Sequence, residues 1–182
     1  VFIILMILFH LVYIGDSYPY IKKVVYTFHM PIFLILSGYL SPVDKNGKQF
    51  LHSIWWLFVP YAIMETGYIS VASFLPVREN IGDLSLKTVL TRIFIDPVGP
   101  YWYLHTLLVC RIFHHIAIRL TGTRLSPLSF LIVLGIIYWG LSEGMNLMHF
   151  GYAMFFLIGV GIKRCKVDFL SLFQPSLWSF IP

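Results

Sequence analysis

The sequence predicts an all-α protein, a multi-pass transmembrane helical bundle with about six spans, and three observations carry that prediction. First, 58% of the 182 residues are hydrophobic and only 12% are charged, with a mean hydropathy of +0.81. A soluble domain is about 45–50% apolar and about 25% charged, so neither a water-soluble globule nor a disordered chain fits. Second, the apolar residues form continuous runs, without the roughly ten-residue alternating segments of a membrane barrel. Third, short polar stretches containing Gly or Pro separate the runs, and these are turn formers.

Each helical residue rises about 1.5 Å, so about 20 apolar residues cross a bilayer core. The expected spans are Val1–Ile14, Val24–Leu40, Ile54–Leu75, Tyr101–Leu120, Leu128–Leu141 and Phe150–Ile162. The last two are short and need flanking residues to reach across. The chain opens inside an apolar run without Met or a basic leader, and another apolar segment begins near Leu177. We therefore expect one domain over residues 1–182, cut at both ends. Gly15-Asp16-Ser17, the stretch Ser41–Lys48, and Thr121-Gly122-Thr123-Arg124 are the expected turns. Within the long connection Pro76–Pro100, apolar Leu86, Val89, Leu90, Ile93 and Phe94 recur at helical spacing. That pattern predicts a short interfacial helix over Leu86–Ile95. Trp55, Trp56, Tyr101, Trp102 and Tyr103 match an aromatic belt at a membrane interface.

The formal net charge is +5. In so apolar a chain this reads as anchoring of cytoplasmic loops to anionic lipid, and nucleic acid is not an expected partner. With the N-terminus inside, the inner loops hold Lys45, Lys48, Arg119, Arg124, Lys163, Arg164 and Lys166. The outer loops hold the smaller set Lys22, Lys23, Lys87, Arg78 and Arg92, which favours that orientation by a small margin. Cys110 and Cys165 are too few and too distant for a disulfide framework or a zinc site.

Ionisable groups inside membrane spans are costly, and they usually face a cavity or a partner. Four stand out: His10, His29, Glu65 and Arg111. A neutral imidazole such as that of His10 suits proton transfer near neutral pH, and it equally suits a hydrogen bond to a neighbouring helix. His29 lies beside Pro31, which deprives the Thr27 carbonyl of its helical donor. Such an irregularity either lines a cavity or only kinks the helix. Glu65 must be protonated, paired or wet. Arg111 is a candidate counter-charge, or it snorkels to the inner surface. His105, His52 and His149 lack ligand spacing, so no metal is expected. Ser37-Gly38 and Gly159-Val160-Gly161 read as sites of close helix approach.

Several of these segments together resemble the membrane acyltransferase-3 family, multi-pass proteins that O-acylate sugars and other hydroxyl acceptors in bacteria. The likeness rests on the first apolar run ending in His10, on Phe28-His29-Met30-Pro31-Ile32-Phe33-Leu34-Ile35-Leu36-Ser37-Gly38-Tyr39-Leu40, and on Trp56-Leu57-Phe58-Val59-Pro60-Tyr61. Gly99-Pro100-Tyr101-Trp102-Tyr103-Leu104 is similar to a Trp-Phe-Leu segment of the family, and Tyr152–Gly159 resembles a later span. The resemblance covers nearly the whole chain, although the family usually has further C-terminal spans.

The resemblance implies transfer of an acyl group, acetyl in the simplest case, from acyl-CoA to a hydroxyl of a sugar, glycan or lipid-linked acceptor. It implies His10 as general base and His29 in the site; Tyr103, as a hydrogen-bond donor, and the intramembrane Glu65 and Arg111 are the further candidates for lining it. Lys45 and Lys48 stand where the family carries an arginine-rich loop, and they are the candidates for holding the phosphates of the donor. An arginine that precedes the histidine in the family falls ahead of Val1. No cofactor is bound in this scheme, because acetyl-CoA or another acyl-CoA is a substrate. The implied location is a bacterial inner membrane. A transporter or flippase, using the buried His, Glu and Arg groups as a proton or substrate path, is the alternative from another class. A third alternative is a non-functional remnant.

Overall fold

The computed structural model describes residues 17–42, 46–74, 85–122 and 125–168. Among them the regular structure is entirely helical: α1 (Pro19–Tyr39), α2 (Gly47–Phe74), α3 (Leu86–Phe94), a 3-10 turn (Gly99–Tyr101), α4 (Trp102–Thr121), α5 (Pro127–Glu143) and α6 (Phe150–Arg164). The expected run Val1–Ile14 lies outside the described residues. The other runs fold as helices close to their expected limits. Helix α2 departs most, starting at Gly47 in the stretch read as a turn.

Local chemistry accounts for the boundaries. At α5, Ser126 is the N-cap and accepts from the Ser129 amide at 3.2 Å, with Pro127 in the first turn, where its missing N–H costs nothing. At α6, the His149 imidazole takes the same part, its Nδ1 accepting from Gly151 N at 3.2 Å. Pro31 and Pro60 sit inside α1 and α2 without ending them.

Helices α1 and α6 run parallel and touch along their backbones. A Cβ on Gly38 would meet the Phe156 carbonyl oxygen at 2.1 Å, and one on Gly159 would meet that of Ile35 at 2.0 Å. The small residues expected to permit close approach do so at these two positions. The pairs α4–α5 and α2–α4 are antiparallel. The Tyr138 hydroxyl of α5 donates to the Cys110 carbonyl of α4 at 2.9 Å, and Phe50 of α2 stacks on His115 of α4 at 3.8 Å. Leu34, Cys110, Phe130, Leu134, Tyr138, Phe156 and Val160 form the main core.

Among the described residues, no helix is long and apolar enough to cross a membrane, which corrects the expectation of individually spanning helices. The reasons differ by helix. With 17 and 15 residues, α5 and α6 reach only roughly 25 and 22 Å, against about 30 Å of hydrocarbon. Helix α4 has 20 residues, but they include His105, Arg111, His114, His115 and Arg119. Helix α2 is long enough at 28 residues, and Glu65, Thr66, Ser70 and Ser73 interrupt it.

Candidate functional site

Alternating helix directions collect the polar connections at two ends. The α3–α4 and α5–α6 connections share one end, where residues 95–97, 142–143 and 146–152 line a cleft of about 590 Å³. Its polar lining comes from Asp96, Ser142, Glu143, Asn146 and His149. Trp102 and Tyr152, stacked on each other with centroids 4.2 Å apart, form its aromatic wall.

Three side chains fix the backbone that shapes this cleft. Buried Glu65 accepts from the Val98 amide through Oε1 at 2.6 Å. Tyr61 donates its hydroxyl to the Ile93 carbonyl at 2.8 Å, and His105 Nε2 lies 3.0 Å from the Phe94 carbonyl. A helix ending inside protein leaves its last carbonyls without partners. Here Tyr61 from α2 and His105 from α4 supply partners from the side. The chain then turns at Gly99, whose φ of +65° and 2.9 Å Cβ clearance to the Tyr68 ring leave room for glycine alone.

The opposite end is basic. Lys163 donates to the Ser41 carbonyl at 2.6 Å, and the Arg164 guanidinium lies over the Phe130 ring, 3.4 Å from its centroid. Partial burial pushes Arg164 below the ordinary guanidinium pKa. The charged groups acting on buried His114 are Arg164, Lys163, His115 and Arg111, all basic.

Among the described residues, Glu65, Arg111, Tyr103 and Lys48 do not form one constellation. His10 and Lys45 lie outside the described residues, and of His29 only the backbone, within α1, is described. Lys48 is exposed in the first turn of α2 at the basic end. Tyr103 reaches α1, sharing a side-chain hydrogen bond with Ser37 and an edge contact with Phe33 at 6.5 Å. The suggested Glu65–Arg111 pairing is corrected. Arg111 donates to the Ser53 hydroxyl at 3.3 Å, while Glu65 holds Val98. Ser53 and Glu65 are more than three turns apart on α2, roughly 18 Å, so one arginine does not serve both.

The cleft itself was not anticipated from the sequence. Trp102 reads there as an interfacial residue, and Asp96, Ser142 and Asn146 lie between the expected helices. The available signal was topological: in an up-down bundle every second connection falls at the same end, so their polar residues meet.

No curated protein and no solved structure matches the chain. A family model described as an acyltransferase domain matches residues 1–181, nearly every residue. The chain belongs to the acyltransferase 3 family.

Proposed function

We propose that the protein sits in a bilayer, that of the bacterial inner membrane, and transfers an acyl group from acyl-CoA to a hydroxyl of a sugar, glycan or lipid-linked acceptor. The observation that carries this reading is the family match over residues 1–181. In this scheme His10, in neutral form, takes the hydroxyl proton as the oxygen attacks the thioester carbonyl; the thiolate of CoA leaves as that bond breaks. His29 or Tyr103 supplies a hydrogen bond to the carbonyl oxygen as it gains charge.

Two further observations support the setting. Leu128, Ile132, Ile136 and Trp139 recur along one face of α5, and all are exposed. A water-soluble surface rarely carries such a stripe, whereas lipid covers it at no cost. Short helices such as α5 and α6 are accommodated by local thinning of the bilayer. The cleft suits a polyhydroxyl acceptor, because carboxylates, amides and hydroxyls pair with its OH groups while Trp102 and Tyr152 offer apolar surface.

The test uses membranes carrying the full-length protein and labelled acetyl-CoA, following label into glycan or lipid-linked sugar. His10→Ala at equal expression is expected to lose about 10²–10⁴-fold of the transfer rate. Activity of the unaltered protein should fall at acidic pH, as His10 gains a proton and ceases to be a base. Transfer undiminished by His10→Ala removes His10 from the chemistry. Substrate uptake without any transfer supports a transporter instead.

A further inference from the structure

The basic end holds more positive charge than its hydrogen bonds use. Lys163, Arg164 and Arg111 are each held by a neutral group: the Ser41 carbonyl, the Phe130 ring and the Ser53 hydroxyl. In addition, His114 Nε2, His115 Nδ1 and Arg164 Nε are buried and make no hydrogen bond. Buried polar nitrogens are nearly always paired, and those that are not mark a missing partner. His114 is 3% exposed, so bulk water does not substitute for one.

The geometry narrows what that partner is. Phe130 organises the cluster: Arg164 lies on its face, and the His114 ring meets it edge-on with centroids 5.9 Å apart. A guanidinium stacked on a ring keeps its in-plane N–H groups for an acceptor, and its fork matches two oxygens of one anion. Lys163 precedes Arg164 by one position and spends one of its three protons on the Ser41 carbonyl. Among the described residues, the charged groups acting on His114 are all basic, which suits an anion as the missing partner.

We propose that this end of the bundle binds a phosphate group, with Arg164 as the bidentate contact and Lys163 as the second charge. Two sources present that chemistry here: the 3′-phosphate of an acyl-CoA donor, which rests on the acyl-transfer reading above, and the headgroup of an anionic phospholipid, which does not.

Binding without turnover separates these sources. The full-length protein in phosphatidylcholine nanodiscs is titrated with CoA and with dephospho-CoA, which lacks the 3′-phosphate. If the donor is the source, Arg164→Gln weakens CoA binding about tenfold or more and leaves dephospho-CoA binding unchanged. If lipid is the source, CoA binding is unaffected. Nanodiscs of equal phosphatidylcholine and phosphatidylglycerol then raise the melting temperature of the unaltered protein, and Arg164→Gln abolishes that rise.

Arg164→Lys, which keeps the charge and the fold but not the fork, should fall between the two proteins. Lys166→Gln, an exposed lysine at the same end, should match the unaltered protein. If Arg164→Gln changes neither CoA binding nor the lipid response, or if Lys166→Gln does as much, the phosphate site is wrong. CoA binding that depends on Arg164 with no acyl transfer would sink the acyltransferase reading and leave this one standing. Acyl transfer indifferent to Arg164, with no lipid response, would do the reverse.

Discussion

The two ends of the bundle satisfy their polar groups in opposite ways. At the cleft end, buried side chains meet backbone: Glu65 holds the Val98 amide, and Tyr61 and His105 meet the last carbonyls of α3. At the basic end, backbone and rings meet side-chain cations, and three buried nitrogens there make no hydrogen bond. The first arrangement fixes a shape. The second keeps charge in reserve for something that arrives. The proposed transfer from an anionic donor to a polyhydroxyl acceptor would use both kinds of surface, which the helix directions place at opposite ends.

Helices α1 and α6 approach backbone to backbone, so the largest effect comes from forcing them apart. Gly159→Ala places a Cβ 2.0 Å from the Ile35 carbonyl oxygen, and backbone on both sides gives it no room. We expect a loss of about 3 kcal/mol, at the upper end for overpacking. Thermal or denaturant unfolding in detergent reads it. Gly67→Ala is the control, since nothing lies within 4 Å of its added Cβ. It should gain about 0.5–1 kcal/mol as an ordinary helix substitution. Equal behaviour of the two variants would mean that α1 and α6 are not in backbone contact.

Next in size is a change confined to one end. Glu65→Ala removes the acceptor of a buried amide and should cost about 1–3 kcal/mol. Its signature is local: amide exchange should rise over residues 96–101 and stay unchanged over 161–166. Equal acceleration at both ends would show that Glu65 supports the whole bundle and that the ends are not independent. Tyr61→Phe deletes one hydroxyl bond to the Ile93 carbonyl while keeping the ring, and should cost about 1 kcal/mol with the same local pattern.

These positions also show what the sequence makes legible. Helix limits are readable because apolar runs and Gly/Pro punctuation are local signals; α3 falls within one residue of the segment its periodicity marks. Gly38 and Gly159 are readable as close-approach sites because small residues in apolar helices have few other uses. Which polar groups meet is a different matter. Glu65 looks like a partner for Arg111 because opposite charges attract, yet its partner is a backbone amide 33 positions away. Every residue but proline carries such an amide, so no residue type announces it. The cleft is hidden for the same reason, since its lining comes from two connections whose adjacency depends on helix packing.

The smallest effect tests whether charge alone distinguishes the two ends. Arg92 and Asp96 form an ion pair one turn apart at the end of α3, beside the cleft, with side chains 35% and 68% exposed. It is the charge-matched counterpart of Lys163 and Arg164 at the other end, which meet a carbonyl and a ring. Exposed pairs of this kind contribute about 0–1 kcal/mol, because water and salt already screen both charges and ordering two long side chains costs entropy. Arg92→Ala should therefore change stability by less than about 1 kcal/mol, with a difference that shrinks further as salt is added. It should leave CoA binding untouched, in contrast to Arg164→Gln. A large destabilisation would place Arg92 among the residues that shape the cleft. A loss of CoA binding would show that positive charge anywhere on the bundle attracts the donor, and the distinction between the ends would collapse.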